Sequence, residues 1–565
     1  MLHSSVLLHL CVFFSSVTSL VLATPVLPQH KDTLQSWGPA VDGFWANYCH
    51  YLTFLCPRGA ITQGITVHTP LGDAYGVVNT SSVNRFVVKY ASAQRWQPST
   101  LVTTWQLPNG STDAFALPPM CPQPFVSSSA ISEDCLSMVL YVPTSLTYQS
   151  PIPTLMWIHG GSFMVGSASD PGLDGSALAS ATNSIVAVVQ YRLGALGFIA
   201  PNGETNLGLK DVVNALQFLD RVLPSFGGCG FQITLAGQSS GANMIRALLA
   251  VPSAQSLFHS AILQSDPMDY GFLSASDQQL LQDYFVSNLP CQVSDTACLN
   301  ALPVDEIVNS IGLNQFYNAY TIVPAATQSE PMRVVNDGSF ITSTLDSTSP
   351  FPRVSKTVLL STVADEAGLV VYGTFTDPIS QPQYEAIVNS SFGETRSNTL
   401  MHAQFYAVQE SPVSDYRPQL EVLGTDSTWR CPTWTFARNW ASHGGAAYVG
   451  LYTVGASYPG NSQVPFCTQP GVVCHQDDIE IVFGTAQNPT SAQSALTTEI
   501  QARYKSFMYL GDPNPSGAPY PKWQAAGVSD VNAILLGSPG EAPVGACTPD
   551  FWGASVQYDY QVFNI

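Results

Sequence analysis

Six short apolar runs recur along this 565-residue chain, and they constrain its fold more than any other feature: Leu136 to Val142, Thr154 to His159, Ser184 to Gln190, Phe231 to Ala236, Ser260 to Gln264 and Thr357 to Val363. Runs this short have the length of strands, and their near-continuous apolar character suits strands buried on both faces. Helix-prone stretches lie between several of them. In Leu209 to Leu223, for example, Val212, Ala215, Leu216 and Leu219 return at helical spacing. Such alternation predicts an α/β fold, a large and mostly parallel sheet covered by helices on both faces. Ahead of it, a polar, proline-containing lead-in from Pro25 to Pro70 gives way to β-rich stretches such as Asn84 to Tyr90. No internal repeat and no long Ser/Gly linker divides the chain, so residues 24–565 are expected to form one domain.

Composition supports a packed body. Charged residues make up 10% of the chain and AVILMFWYC 45%, enough to fill a sizeable core. With 39 acidic against 19 basic residues the formal net charge is −20, which disfavours nucleic acid and anionic membrane surfaces as partners. Val6 to Phe14 is apolar and Val21-Leu22-Ala23 offers small residues at a cleavage point, so residues 1–23 read as a secretory signal. Serines interrupt that stretch, and no later segment reaches the roughly 18 to 20 apolar residues of a membrane span. The expected location is extracellular.

Cysteine usage fits an oxidising compartment. Setting aside Cys11 of the signal, close spacing suggests bridges Cys49–Cys56, Cys121–Cys135, Cys291–Cys298 and Cys467–Cys474. Remote Cys431 and Cys547 then pair, leaving Cys229 free. Asn79, Asn109 and Asn389 each begin an Asn-x-Ser/Thr triplet and are candidate glycosylation sites.

The chemistry is announced by Gly237-Gln238-Ser239-Ser240-Gly241, set between a strand-like run and the helix-prone Ala242 to Ala250. A strand entering a helix through so tight a turn lifts the central hydroxyl, and glycines two positions either side avoid collision with neighbouring backbone. Serine alone is a poor nucleophile. It needs a base, an orienting acid and donors for the developing oxyanion. The abrupt His159-Gly160-Gly161-Ser162-Phe163 turn, directly after an apolar strand, exposes backbone amides suited to the last task.

These segments, together with Ser132-Glu133-Asp134-Cys135-Leu136, Gln190-Tyr191-Arg192-Leu193-Gly194, Asn206 to Asp211 and Phe226-Gly227-Gly228, stand in the order found in type-B carboxylesterases and lipases. The chain resembles that family from about residue 121 to 485. The resemblance implies an α/β-hydrolase fold and hydrolysis of a small-molecule ester through an acyl-enzyme on Ser239. It implies Glu366 as orienting acid, in Asp365-Glu366-Ala367-Gly368, and His475 as base, in the His-x-x-acid segment before Phe483-Gly484. Asp365 is the alternative acid, because Ala367 departs from the family's Asp-Glu-Gly. His402 and His443 read as structural. Amides of Gly161, Ser162 and Ser240 would form the oxyanion hole, and Ser265 would support the acid, although Asp266 replaces the family's glycine. Arg192 is expected in a structural ion pair with Glu133. A Cys467–Cys474 bridge would brace the loop carrying His475.

No cofactor or metal is expected, since neither HExxH nor a Cys/His cluster is present. No feature assigns an oligomeric state. Two departures bear on substrate. Gln238 and Ser240 stand where the family most often has Glu and Ala, and losing a carboxylate beside the nucleophile weakens the case for cationic choline esters. The Cys121–Cys135 loop is short and lacks the tryptophan of cholinesterases. A general carboxylesterase is therefore preferred over a lipase or sterol esterase, and over a non-catalytic adhesion homologue that has lost the nucleophile.

Overall fold

The computed structural model describes residues 66–144, 151–322, 331–345, 351–352, 354–407 and 414–556; the expected signal and the expected Cys49–Cys56 bridge lie outside them. At its centre is an eleven-stranded sheet. In chain order its strands are β1 (Thr66–Thr69), β2 (Gly72–Thr80), β3 (Val83–Lys89), β4 (Ser137–Pro143), β5 (Ile152–Ile158), β6 (Ile185–Val189), β7 (Gly228–Gln238), β8 (Ser260–Gln264), β9 (Thr357–Val363), β10 (Ala446–Tyr452) and β11 (Ile534–Leu536). In space they lie β1-β2-β3-β4-β6-β5-β7-β8-β9-β10-β11. The first four neighbours, and β4 against β6, are antiparallel. From β6 onward every pair is parallel. Loops of two residues join β1 to β2 and β2 to β3, a length that permits only antiparallel pairing, whereas parallel neighbours need a crossover.

All six apolar runs are strands, β4 to β9, and the run in Leu209 to Leu223 is helix α1 (Leu207–Val222). Their continuous apolar character has the expected cause. In β5, Met156 and Ile158 enter one apolar layer with α1 and α2 (Ser240–Leu249). Leu155 and Trp157 enter the opposite layer with α3 (Ile479–Phe483) and α4 (Ser491–Leu510). Every residue of β5 and β6 is buried.

Two buried ion pairs fix elements of this body. Arg192 pairs with Asp211 of α1 at 2.7 Å, while Glu133 takes Arg95 at 2.7 Å, so the expected Arg192–Glu133 pair is corrected: Asp211 is wholly buried and requires the nearest cation. Arg246 of α2 donates to Asp266, just beyond β8, at 2.8 Å. Burial raises the Asp266 carboxyl, with Arg246 opposing. Asp266, standing where the family has glycine, thus anchors α2 to the neighbouring strand.

Four bridges are present among the described residues: Cys121–Cys135, Cys291–Cys298, Cys431–Cys547 and Cys467–Cys474. Cys229 is a buried free thiol. Asn109 and Asn389 are exposed. The Asn79 side-chain nitrogen instead donates to Ser176 at 2.6 Å and to Asp174, bonds that a sugar on that nitrogen would displace. No described helix is long and apolar enough to cross a membrane.

Candidate active site

Strand β7 ends at Gln238 and α2 begins at Ser240, so the whole reversal falls on Ser239, which is held at φ 57° and ψ −126°. Such a conformation persists only when its surroundings fix it. The Ser239 amide donates to Gln264 O of β8 at 2.9 Å, and its carbonyl accepts the first helical bond from the Asn243 amide at 2.9 Å. The flanking glycines are required by the end of β5. A Cβ on Gly237 would lie 2.7 Å from Ile158 O, and one on Gly241 would collide with the same carbonyl and with His159 O.

That strand end continues into the glycine turn. A Cβ on Gly160 would stand 3.0 Å from Ser239 Cβ, which places the turn directly against the elbow. Gly161, Ser162 and Phe163 have φ of 112°, 52° and 61°. The amides of Gly161 and Ser162 donate no hydrogen bond among the described residues. The Ser240 amide is at the first helical position and has no intrahelical acceptor. Three unpaired donors therefore flank Ser239. His159, at the head of the turn, is buried and stacks on Tyr191 with ring centroids 4.6 Å apart. Burial lowers its pKa to about 4, so it is neutral.

His475 and Glu366 meet in the interior. The His475 Nδ1–H donates to Glu366 Oε2 at 2.5 Å, and both residues are buried. The other Glu366 oxygen accepts the Val363 amide at 2.9 Å. With Nδ1 committed, Nε2 of a neutral ring is an acceptor, and the Gln238 side-chain amide donates to it at 3.1 Å. His475 thus points at the residue preceding Ser239.

Asp365, the alternative acid, faces elsewhere. Its carboxylate accepts the Val473 amide at 2.8 Å, and its own amide donates to Val473 O at 2.9 Å. It joins the acid loop to the histidine loop. The Ser265 hydroxyl, expected to support the acid, is buried without a hydrogen-bond partner among the described residues; Glu366 is instead held by the Val363 amide. His402 and His443 bond carbonyls of their own helices.

The histidine loop is fastened by residues that sequence reading passed over. Asp477 accepts the amides of Tyr458 and Cys474 and the Asn461 side chain at 2.8 to 2.9 Å. Asn461 also donates to His475 O at 2.7 Å. Asp477 lies in the His-x-x-acid segment, so its position was visible; Asn461, fourteen residues upstream, carries no signal. Burial raises Asp477 to about 7. It also raises neighbouring Asp478 to about 6, with repulsion from Glu366 adding to the rise and Gln264 and His475 opposing it.

An elbow at the end of a central parallel strand, an acid beyond a later strand and a histidine loop beyond the next define the α/β-hydrolase fold. The model of the Carboxylesterase family matches residues 63–544, and the chain belongs to that family. It is a carboxylic ester hydrolase. Carboxylesterase 5A of Mus musculus is 29% identical over 70% of this chain and 68% of its own length. The Crystal protein of Dictyostelium discoideum is 27% identical over 73% and 74%. The solved structure of a PNB esterase superposes with a TM-score of 0.66 at 24% identity, covering 84% of this chain and 96% of that one; at this identity the likeness concerns the fold.

Proposed function

We propose that this chain is a secreted serine carboxylesterase in which Ser239 attacks, His475 serves as base and Glu366 orients it. The observation that carries the reading is the buried 2.5 Å bond between His475 Nδ1 and Glu366, which leaves Nε2 turned toward the elbow. His475 accepts the Ser239 proton as the hydroxyl adds to the ester carbonyl, and Glu366 stabilises the imidazolium. Amides of Gly161, Ser162 and Ser240 receive the oxyanion. The protonated histidine then gives its proton to the departing alcohol, and water, activated by the same base, releases the acid. Four disulfides support passage through an oxidising compartment. Residues 24–565 form one domain in this reading, glycosylated at the exposed Asn109 and Asn389.

A fluorophosphonate probe tests the assignment. It should label wild-type protein at Ser239, and Ser239→Ala should abolish labelling and lower kcat on short-chain p-nitrophenyl esters by about 10⁵-fold or more. A folded wild-type protein that resists the probe would sink the reading.

One observation favours the lipase alternative. Phe125, within the Cys121–Cys135 loop, and nearby Phe115 and Leu117 are exposed at 44%, 73% and 41%. Rates across an ester chain-length series separate the two: a sharp rise only above the solubility limit of long-chain esters assigns a lipase, a smooth decline with length an esterase.

A further inference from the structure

Three consecutive residues of positive φ, Gly161, Ser162 and Phe163, give the glycine turn a backbone that relaxes unless it is held. Part of the restraint is local. The amides of Met164 and Val165 donate to Gly161 O at 2.9 and 3.0 Å, and Phe163 O accepts the Gly194 amide at 2.7 Å. Two side chains supply the rest. Gln123, inside the Cys121–Cys135 loop, exchanges hydrogen bonds with the amide and carbonyl of Gly166, each 3.0 Å long. Ser240 Oγ accepts the Phe163 amide at 3.2 Å.

The second contact has a geometry the first lacks. Ser240 follows the nucleophile and opens α2, so its backbone amide belongs to the elbow side of the site while its hydroxyl grips the turn side. The side chain is fully buried, and water cannot replace it. Alanine, the residue most often found here in the family, offers no acceptor and would leave the Phe163 amide buried and unpaired.

We propose that the Ser240 hydroxyl is a positioning group for the oxyanion site, fixing the amides of Gly161 and Ser162 relative to that of Ser240. The inference rests on the acyl-transfer reading above. Donors aimed at the tetrahedral oxyanion rather than at the ground-state carbonyl act on the transition state, so their misalignment lowers kcat and leaves KM nearly unchanged. Removing a whole donor of this kind costs on the order of 10² to 10³ in kcat; displacing donors that remain present should cost about tenfold.

The test compares wild type, Ser240→Ala and Ser240→Thr, the last keeping the acceptor. Each is assayed on a short-chain p-nitrophenyl ester and with a trifluoromethyl ketone, whose serine adduct places an anionic oxygen among the donors; the parent methyl ketone is the control. Thermal unfolding checks that each variant is folded. Ser240→Ala should lose about tenfold in kcat and a similar factor in trifluoromethyl ketone affinity, with KM and methyl ketone affinity within about twofold. Partial recovery in Ser240→Thr supports the role of the oxygen. A folded Ser240→Ala with wild-type kcat and ketone affinity, or a loss confined to KM, overturns the inference while the esterase reading stands. Wild-type protein inert toward every ester overturns that parent reading and this inference with it.

Discussion

Gln238 touches the base from the position next to the nucleophile, and its neutrality has a consequence for pH. A carboxylate at the same 3.1 Å contact with His475 Nε2 would favour the imidazolium; an opposite charge at such range raises a pKa by about one to three units. Gln238→Glu should therefore move the acid limb of the kcat/KM profile upward by about one unit or more, measured on a neutral ester across the pH range. An unchanged limb would mean that the side chain does not face the base during turnover. The Ser239 turn was legible in sequence from its strand-turn-helix context, whereas Glu366 and His475 came from the order of segments in the family the chain resembles; the structure brings those two side chains together. The partners of Arg192 and Ser265 were not legible. Those depend on which buried group across the fold lacks a counterpart, as Asp211 does for Arg192, and spacing along the chain carries no such information. Asp266 belongs with them. Its bond to Arg246 joins α2 to the end of β8 in the buried interior, so Asp266→Ala should lower unfolding free energy by about 3 to 5 kcal/mol in denaturant titration, because a buried guanidinium loses its carboxylate.

Loops, rather than strands, hold the acid and base in register. The acid loop beyond β9 and the histidine loop beyond β10 are joined by the backbone amide and the carboxylate of Asp365, both bonded to Val473, and the Cys467–Cys474 bridge closes the histidine loop one residue before His475. Ring closure over a span of seven residues restrains that loop in the unfolded chain by about 2 kcal/mol, and in the native state it limits excursions of the imidazole. Replacing both cysteines by serine should lower kcat more than it raises KM, with fluorophosphonate labelling slowed in parallel; a loss of thermal stability with unchanged kcat would show the bridge to be structural alone. Strands β4 to β9 could be read directly as apolar runs, two of them to the residue. β10 and β11 were not. β11 has only three residues, too few to stand out; β10, Ala-Ala-Tyr-Val-Gly-Leu-Tyr, is as long as β9 and as apolar but directly follows the Gly444-Gly445 pair and was passed over.

At the scale of the molecule the acidic balance reaches the interior. Glu421 is buried, and burial lifts its carboxyl from 4.5 to about 8, the Thr425 hydroxyl opposing and Asp365 and Asp426 adding repulsion. The folded chain thus keeps a proton here that the unfolded chain has released. Its contribution to stability is complete below about pH 4.5 and is lost as pH rises through about 8. Melting temperature should fall between about pH 5 and about pH 8, and Glu421→Gln should flatten that slope; equal slopes in both proteins would place the pH dependence elsewhere. The order of strands carries a last consequence. β5, β7, β8, β9 and β10 are successive neighbours in the sheet, yet the groups at their ends are drawn from Gly160 to His475. During synthesis the elbow emerges with its strand and helix, but the acid and base that would arm it are still to come. With the proposed assignment, a nascent chain is inert until the loop carrying His475 has docked, and ester turnover in a refolding experiment should report the last event of assembly, lagging behind the recovery of secondary structure.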